Sequence, residues 1–163
     1  MSRAFVKEDR PDTEPLPDLP VSPHPNWVTP RGLAALRDRL EAVRAALAHL
    51  KARTDRLDRL PEKAAERDIR YLEARPASAI PVDPAGQPPD EAAFGARVTV
   101  ADDEGRETVY EIVGEDEADA ARNLIAPQSP LARALIGAHV GDVVEWRRPA
   151  GTVELEVIAI AYG

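Results

Sequence analysis

The sequence predicts an α+β protein: an antiparallel α-helical hairpin of the coiled-coil type, followed by an antiparallel sheet with one short helix. Three observations predict it. The stripe Leu33, Leu36, Leu40, Val43, Leu47, Leu50, Thr54 and Leu57 alternates spacings of three and four, which is a heptad seam. From Ala96 onward the apolar pattern changes to alternation, the period of a half-buried strand. Between the two patterns lies a proline-rich stretch, residues 76–90, that neither a helix nor a central strand can cross.

Taken in order, residues 1–28 carry Pro11, Pro15, Pro17, Pro20, Pro23 and Pro25 among acids and predict an extended, disordered tail. Trp27 and Val28 end it, placed to staple onto the next helix. Thr29-Pro30 is a helix start, a hydroxyl cap followed by proline at the first helical position. Only Gly32 interrupts the helical composition from Arg31 to Leu60, so one helix of about 43 Å is expected there. A second start follows at Pro61 with Asp58 as the nearby cap, and Ala65, Ile69 and Leu72 carry its stripe to a break at Pro76. This second helix should be about half the first, roughly 22 Å. The hairpin thus occupies residues 29–76 and a linker residues 77–92, with an extended stretch at Ile80–Val82.

Residues 93–163 form the second unit. Ala96–Ala101 and Glu107–Val113 alternate around a turn at residues 102–105, a β-hairpin signal. Ser129-Pro130 caps a short helix, Leu131–Ile136, closed by Gly137. Strands Val143–Arg147 and Val153–Ala161 follow, joined at residues 149–151.

Composition excludes several function classes. There is no cysteine, hence no disulfide, thiolate metal site or thiol nucleophile. His24, His49 and His139 lie in three separate regions, so no histidine metal site is expected. Aromatics are 4% of residues, too few to predict an aromatic-lined pocket. No apolar stretch reads as a signal peptide or membrane span, which predicts a cytoplasmic protein without a membrane partner. Charge is uneven: residues 30–76 hold twelve Lys/Arg against eight acids, and residues 91–163 six Arg against fourteen acids. A basic arm on an acidic body suits an acidic cavity or an approach to nucleic acid, and equally a solvated coiled-coil exterior laced by pairs such as Glu66–Arg70.

The C-terminal stretch resembles the GreA/GreB (Gre factor) family of transcription elongation factors. The resemblance is carried by Phe94-Gly-Ala-Arg-Val-Thr-Val100, residues 110–119, Leu124-Ile125, Ser129-Pro-Leu-Ala-Arg-Ala-Leu-Ile-Gly137 and Val140-Gly-Asp-Val-Val144. The opening residues 2–9 and 25–33 also resemble GreB-type starts. This resemblance implies an FKBP-like C-terminal domain docking on the rim of the secondary channel of RNA polymerase core, and a coiled-coil finger entering that channel. Nucleic acid would be met only through the transcription complex, and the protein would act as a monomer and not as an enzyme. It implies docking through Glu115, Asp116 and Asp119 of the 114–119 loop and through Ser129, Pro130 and Arg133, with Gln128 standing where many relatives carry an acid or Asn. The family's acidic tip motif, of the Gly-Asp-Leu-Ser-Glu-Asn type, is missing. Asp55, Asp58 and Glu62 are the carboxylates near the turn, each beside Arg or Lys, and the finger is shorter by roughly two turns, about 10 Å. The expected function is therefore an elongation regulator that does not stimulate transcript cleavage, with no cofactor and no metal of its own. An Rnk-like polymerase-binding regulator is the alternative within that class. An FKBP-like peptidyl-prolyl isomerase is the alternative outside it, and it would need a deep aromatic pocket from Phe94, Tyr110, Trp146 and Tyr162.

Overall fold

The computed structural model describes residues 14–163. Its elements are β1 (Trp27–Val28), α1 (Pro30–Lys51), α2 (Leu60–Ser78), β2 (Ile80–Pro81), β3 (Arg97–Ala101), β4 (Glu107–Ile112), β5 (Leu124–Ile125), α3 (Pro130–Leu135), β6 (Val143–Arg148) and β7 (Gly151–Ala161), with short 3-10 turns at Pro84–Gly86 and Ala120–Arg122. The α+β class and the helical hairpin are as expected. Among the described residues no helix is long and apolar enough to cross a membrane.

Thr29 caps α1 as its sequence demands, its hydroxyl accepting the Gly32 N–H at 2.9 Å. The helix stops at Lys51, nine residues before the expected end, and spans about 33 Å. The reason is local competition for the backbone. Arg53 Nε donates to the Leu50 carbonyl at 3.2 Å, and Asp55 and Asp58 each accept a main-chain N–H two residues on. Such side-chain turns replace helical bonds. Thr54 and Leu57, counted in the seam from spacing alone, therefore sit in the exposed tip loop. The second helix is correspondingly longer than expected, 19 residues beginning at Leu60. It continues through Pro76 because that proline lies in the last turn and ends only two residues later. The two helices are nearly matched in length and pair antiparallel.

Residues 14–28 do not behave as a free tail. They are laid extended against α2, where Asp18 accepts from Arg70 at 2.5 Å, and the Leu16 carbonyl accepts from the same guanidinium. Arg70 is thereby diverted from the expected pairing with Glu66, which meets Lys51 at 3.4 Å. Asn26 is buried, and β1 pairs in parallel with β2, so the two ends of the hairpin leave side by side. Residues 1–13 of the expected tail lie outside the described residues. Trp27 contacts Phe94 edge-on at 6.0 Å, whereas Val28 joins Leu36 and Leu72 in a small core at the hairpin base.

The C-terminal sheet runs β5-β4-β3-β7-β6. It is antiparallel as expected, except that β5 pairs in parallel with β4 at one edge. Alternation works out as the sequence requires: Val98, Val100, Leu155 and Val157 point into the core, where α3 covers them with Leu131, Ala132 and Leu135. Leu131 and Leu135 are core residues, the role their spacing predicts. Ala92, expected in the linker, is fully buried in the same core.

Hairpin and sheet meet at one close approach. A Cβ built on Gly114 would lie 2.6 Å from the carbonyl oxygen of Trp27, a main-chain atom that cannot swing aside. Gly114→Ala should therefore force β1 off the sheet domain and destabilise the protein by about 1–3 kcal/mol. Urea denaturation read by circular dichroism, together with faster amide exchange at residues 26–28, would check this.

Candidate functional site

Three features of this fold hold groups capable of recognition: the joint behind Gly114, the cleft at the start of α3, and the hairpin tip.

The joint is built by three consecutive acids after Gly114, each turned towards the hairpin. Asp116 accepts from Arg75 Nε at 2.6 Å and from the Tyr71 hydroxyl. Glu115 accepts from Ser22 at 2.9 Å and faces Arg75 at 3.4 Å. Glu117 accepts from Thr29 and from Arg31 Nε, both at 2.6 Å, while the other end of Arg31 reaches Glu111 at 3.0 Å. The Arg75 side chain is 2% exposed, and its Nη2, the nitrogen that faces Glu115, also donates to Asn26 Oδ1 at 2.8 Å. Asn26 in turn donates to the Arg75 carbonyl. Loss of hydration works against the Arg75 charge, but the hydrogen bond and charge of Asp116 outweigh it and its pKa is raised. Burial and the same carboxylate push the Tyr71 phenol up to about 12.

This geometry corrects part of the expected docking set. Glu115 and Asp116 are engaged inside the molecule, because buried Arg75 needs anionic partners. Glu117, Tyr71 and Arg75 are the residues that sequence reading missed. A signal was present, since Arg75 falls on the apolar face of α2 three residues after Leu72, where a cation must find a partner. Asp119 remains at the surface and caps the following 3-10 turn by accepting the Ala121 N–H.

The cleft has a volume of about 250 Å³ and is lined by Tyr110, Ile125, Pro130, Leu131 and Trp146, with Ser129 and Asn123 at its polar side. Tyr110 and Trp146 meet edge-on at 6.2 Å, and Arg148 lies over the Trp146 ring at 5.1 Å. The low aromatic content had predicted no such site. Two aromatics suffice because β4 and β6 bring them to one face of the sheet. Ser129 caps α3 by accepting the Ala132 N–H, and Arg133 is exposed behind it. Beside Ser129, Gln128 Oε1 is a buried side-chain acceptor with no donor among the described residues. An acceptor in that state is completed only by a partner's donor or by water.

At the tip, Asp55 accepts the Leu57 N–H at 3.0 Å and Asp58 the Leu60 N–H at 2.9 Å. Glu62 is 1% exposed and takes a two-pronged hydrogen bond from Arg56, at 2.8 and 2.6 Å, with Arg59 at 3.7 Å. The Arg56 hydrogen bond holds the Glu62 pKa below the ordinary carboxylate value. Loss of hydration opposes that pull, and the charges of Arg56, Arg59 and Arg53 add to it. No cluster of metal-ligating side chains forms among the described residues.

The chain is similar to known proteins. Residues 87–162 match the family described as transcription elongation factor, GreA/GreB, C-term. Over 152 residues the chain is 34% identical to transcription elongation factor GreA of Alkalilimnicola ehrlichii, covering 83% of this chain and 96% of that protein. It is 38% identical over 153 residues to GreB of Neisseria meningitidis serogroup B, covering 84% and 94%. Among solved structures, the prokaryotic transcription elongation factor GreA/GreB from Nitrosomonas europaea aligns over 84% of this chain and 99% of its own, at 22% identity and a TM-score of 0.43.

Two measurements test the joint. Arg75→Met leaves Asp116 buried without its cation and should cost about 3–5 kcal/mol in urea denaturation. The raised Tyr71 pKa favours the folded state fully below pH 10, and that contribution is lost as pH rises from 10 towards 12. Alkaline titration by tyrosinate absorbance should therefore show the Tyr71 phenol ionising near the upper limit, with the half-buried Tyr162 also above its ordinary value, together with loss of folded structure. In Tyr71→Phe that late step should be gone.

Proposed function

The chain belongs to the GreA/GreB family of transcription elongation factors, and on that premise we propose that it binds RNA polymerase core at the secondary channel and modulates elongation without stimulating transcript cleavage. The sheet domain docks through the cleft at the start of α3, with Ser129, Pro130 and Arg133 as contacts. Asp119 stands at the near edge. Tyr110 and Trp146 offer the apolar wall that an anchoring side chain of the partner fills, and Ser129 and Asn123 line its polar side. The hairpin then projects into the channel at the angle fixed by Arg75 and Asp116.

The observation that carries the negative part of this reading is the state of the tip acids. A divalent cation shared with a polymerase active site needs carboxylate oxygens free to turn towards it. Asp55 and Asp58 each give one oxygen to the tip's backbone, Glu62 is paired with Arg56, and the three do not converge into a ligand cluster, so this donor set does not fit a cation. The arginines beside it would repel one. A proline isomerase reading has the Tyr110–Trp146 cleft in its favour, but that cleft is shallow and open rather than a closed aromatic pocket.

Stalled, backtracked elongation complexes test the proposal. The protein should bind core polymerase, leave transcript cleavage at the polymerase's own rate, and slow cleavage by an added Gre factor through competition. Cleavage that rises on addition and disappears in an Asp55→Ala/Asp58→Ala variant would overturn it.

A further inference from the structure

We infer that the outer edge of β6 is a self-association surface, on which a second copy of this chain lays its own β6 antiparallel. The pairing does not depend on the polymerase reading above. β6 stands at the end of the sheet and pairs only with β7. The Val157 N–H bonds to the Asp142 carbonyl at 2.8 Å, in the register of the strand pair, so Val144, Trp146 and Arg148 turn their main-chain groups towards β7. Val143, Glu145 and Arg147 turn theirs outward, and among the described residues nothing donates to them or accepts from them. No proline lies within residues 143–148. Such a free strand edge can be extended by a further strand. The opposite edge of the sheet is blunted: β5 is two residues long, and Leu124 exchanges both main-chain hydrogen bonds with Asp119 there.

Charge identifies the occupant. Val144 and Trp146 pack towards the core, so Glu145 and Arg147 share the other face of β6. There Glu145 lies directly opposite Glu154 of β7, and neither Glu145 nor Arg147 has an ion-pair partner among the described residues. Like charges across a strand pair repel, and the side left for a cation to reach Glu145 is the open edge. Only residues with outward main-chain groups can bond across that edge, so two copies of β6 shift past one another in steps of two residues. One register sets Glu145 opposite Arg147 of the second copy and Arg147 opposite its Glu145, with Trp146 against Trp146. A step one way sets Glu145 against Glu145, and a step the other way Arg147 against Arg147. The edge is therefore complementary to itself in a single register, held by both ion pairs and about four main-chain hydrogen bonds. Pro149 has no N–H to donate and ends the ladder, and Val143, 62% exposed, gains cover beside it. A two-fold pairing consumes the β6 edge of both copies, so assembly stops at two. The contact is small, below about 1,200 Å², which makes the dimer weak and reversible.

Sedimentation equilibrium of the full chain from about 5 to 500 μM tests this. The 17.7 kDa chain should pass reversibly to twice that mass. Over the same range, amide exchange at Glu145 and Arg147 should slow, whereas Trp146, already bonded to β7, should exchange as before. Glu145→Arg and Arg147→Glu each bring like charges face to face, and each should raise the dissociation constant about fivefold or more. Both side chains are exposed, so the fold is kept. An equimolar mixture of the two variants places opposite charges across the edge again, and it should dimerise more tightly than either variant alone. A chain that stays at monomer mass throughout overturns the inference. So do single variants that dimerise like the wild type, a mixture no tighter than its components, or a dimer in which the Glu145 and Arg147 amides exchange unchanged.

Discussion

The buried guanidinium of Arg75 is the constraint around which the molecule is arranged. A cation at 2% exposure has to be met on its several donors, and it is met from two separate stretches of chain, by Glu115 and Asp116 of one loop and by Asn26 ahead of α1. One requirement therefore brings together the extended segment before α1, the last turns of α2 and the loop after β4. Gly114 permits the approach, because any side chain there would collide with the main chain of β1. Tyr71 and Thr29 extend the same contact along both helices.

A joint of this kind is a poor source of raw stability, since an apolar replacement of equal volume would avoid dehydrating several charges. What it supplies is direction. Apolar surfaces slide with little penalty, whereas the Asp116 oxygens accept from Arg75 and Tyr71 in one geometry only. The small core of Val28, Leu36 and Leu72 closes the base of the hairpin, and the ion pairs set the angle at which the sheet domain is held against it. That angle sets where the hairpin tip stands relative to the cleft by α3.

Much of this was legible in the residues. The α+β class, the caps at Thr29 and Ser129, the β3–β4 turn and the inward residues of β3 and β7 follow from periodicity and turn chemistry, which are local. The end of α1 was not legible. Its apolar spacing continues to Leu57, and only the conformation shows that Asp55 and Asp58 bond their own backbone and stop the helix first. The ordered run before Trp27 was missed for a related reason. Composition predicts that a proline-rich acidic segment buries too little apolar surface to fold by itself, yet Asp18 and Asn26 are fixed by arginines of α2 supplied from elsewhere. Glu115 and Asp116 were expected to face a partner protein, and in the fold they face Arg75. Sequence alone does not separate an acid that faces another protein from one that faces a buried arginine in its own chain. The cleft residues Tyr110 and Trp146 lie 36 positions apart, and only strand order brings them together.

The tip shows how structure and function compete for the same atoms. Residues 52–59 connect two antiparallel helices without a glycine or a proline, so the reversal has to be stabilised by side chains. Aspartate is suited to this because a short carboxylate reaches the N–H two residues ahead. The oxygen that does so is no longer directed outward. Glu62, in the first turn of α2, serves a similar purpose by gathering the arginines that would otherwise repel one another across the loop. A tip that uses its carboxylates to hold its own shape presents arginines and leucines to its surroundings, and its chemistry follows from those.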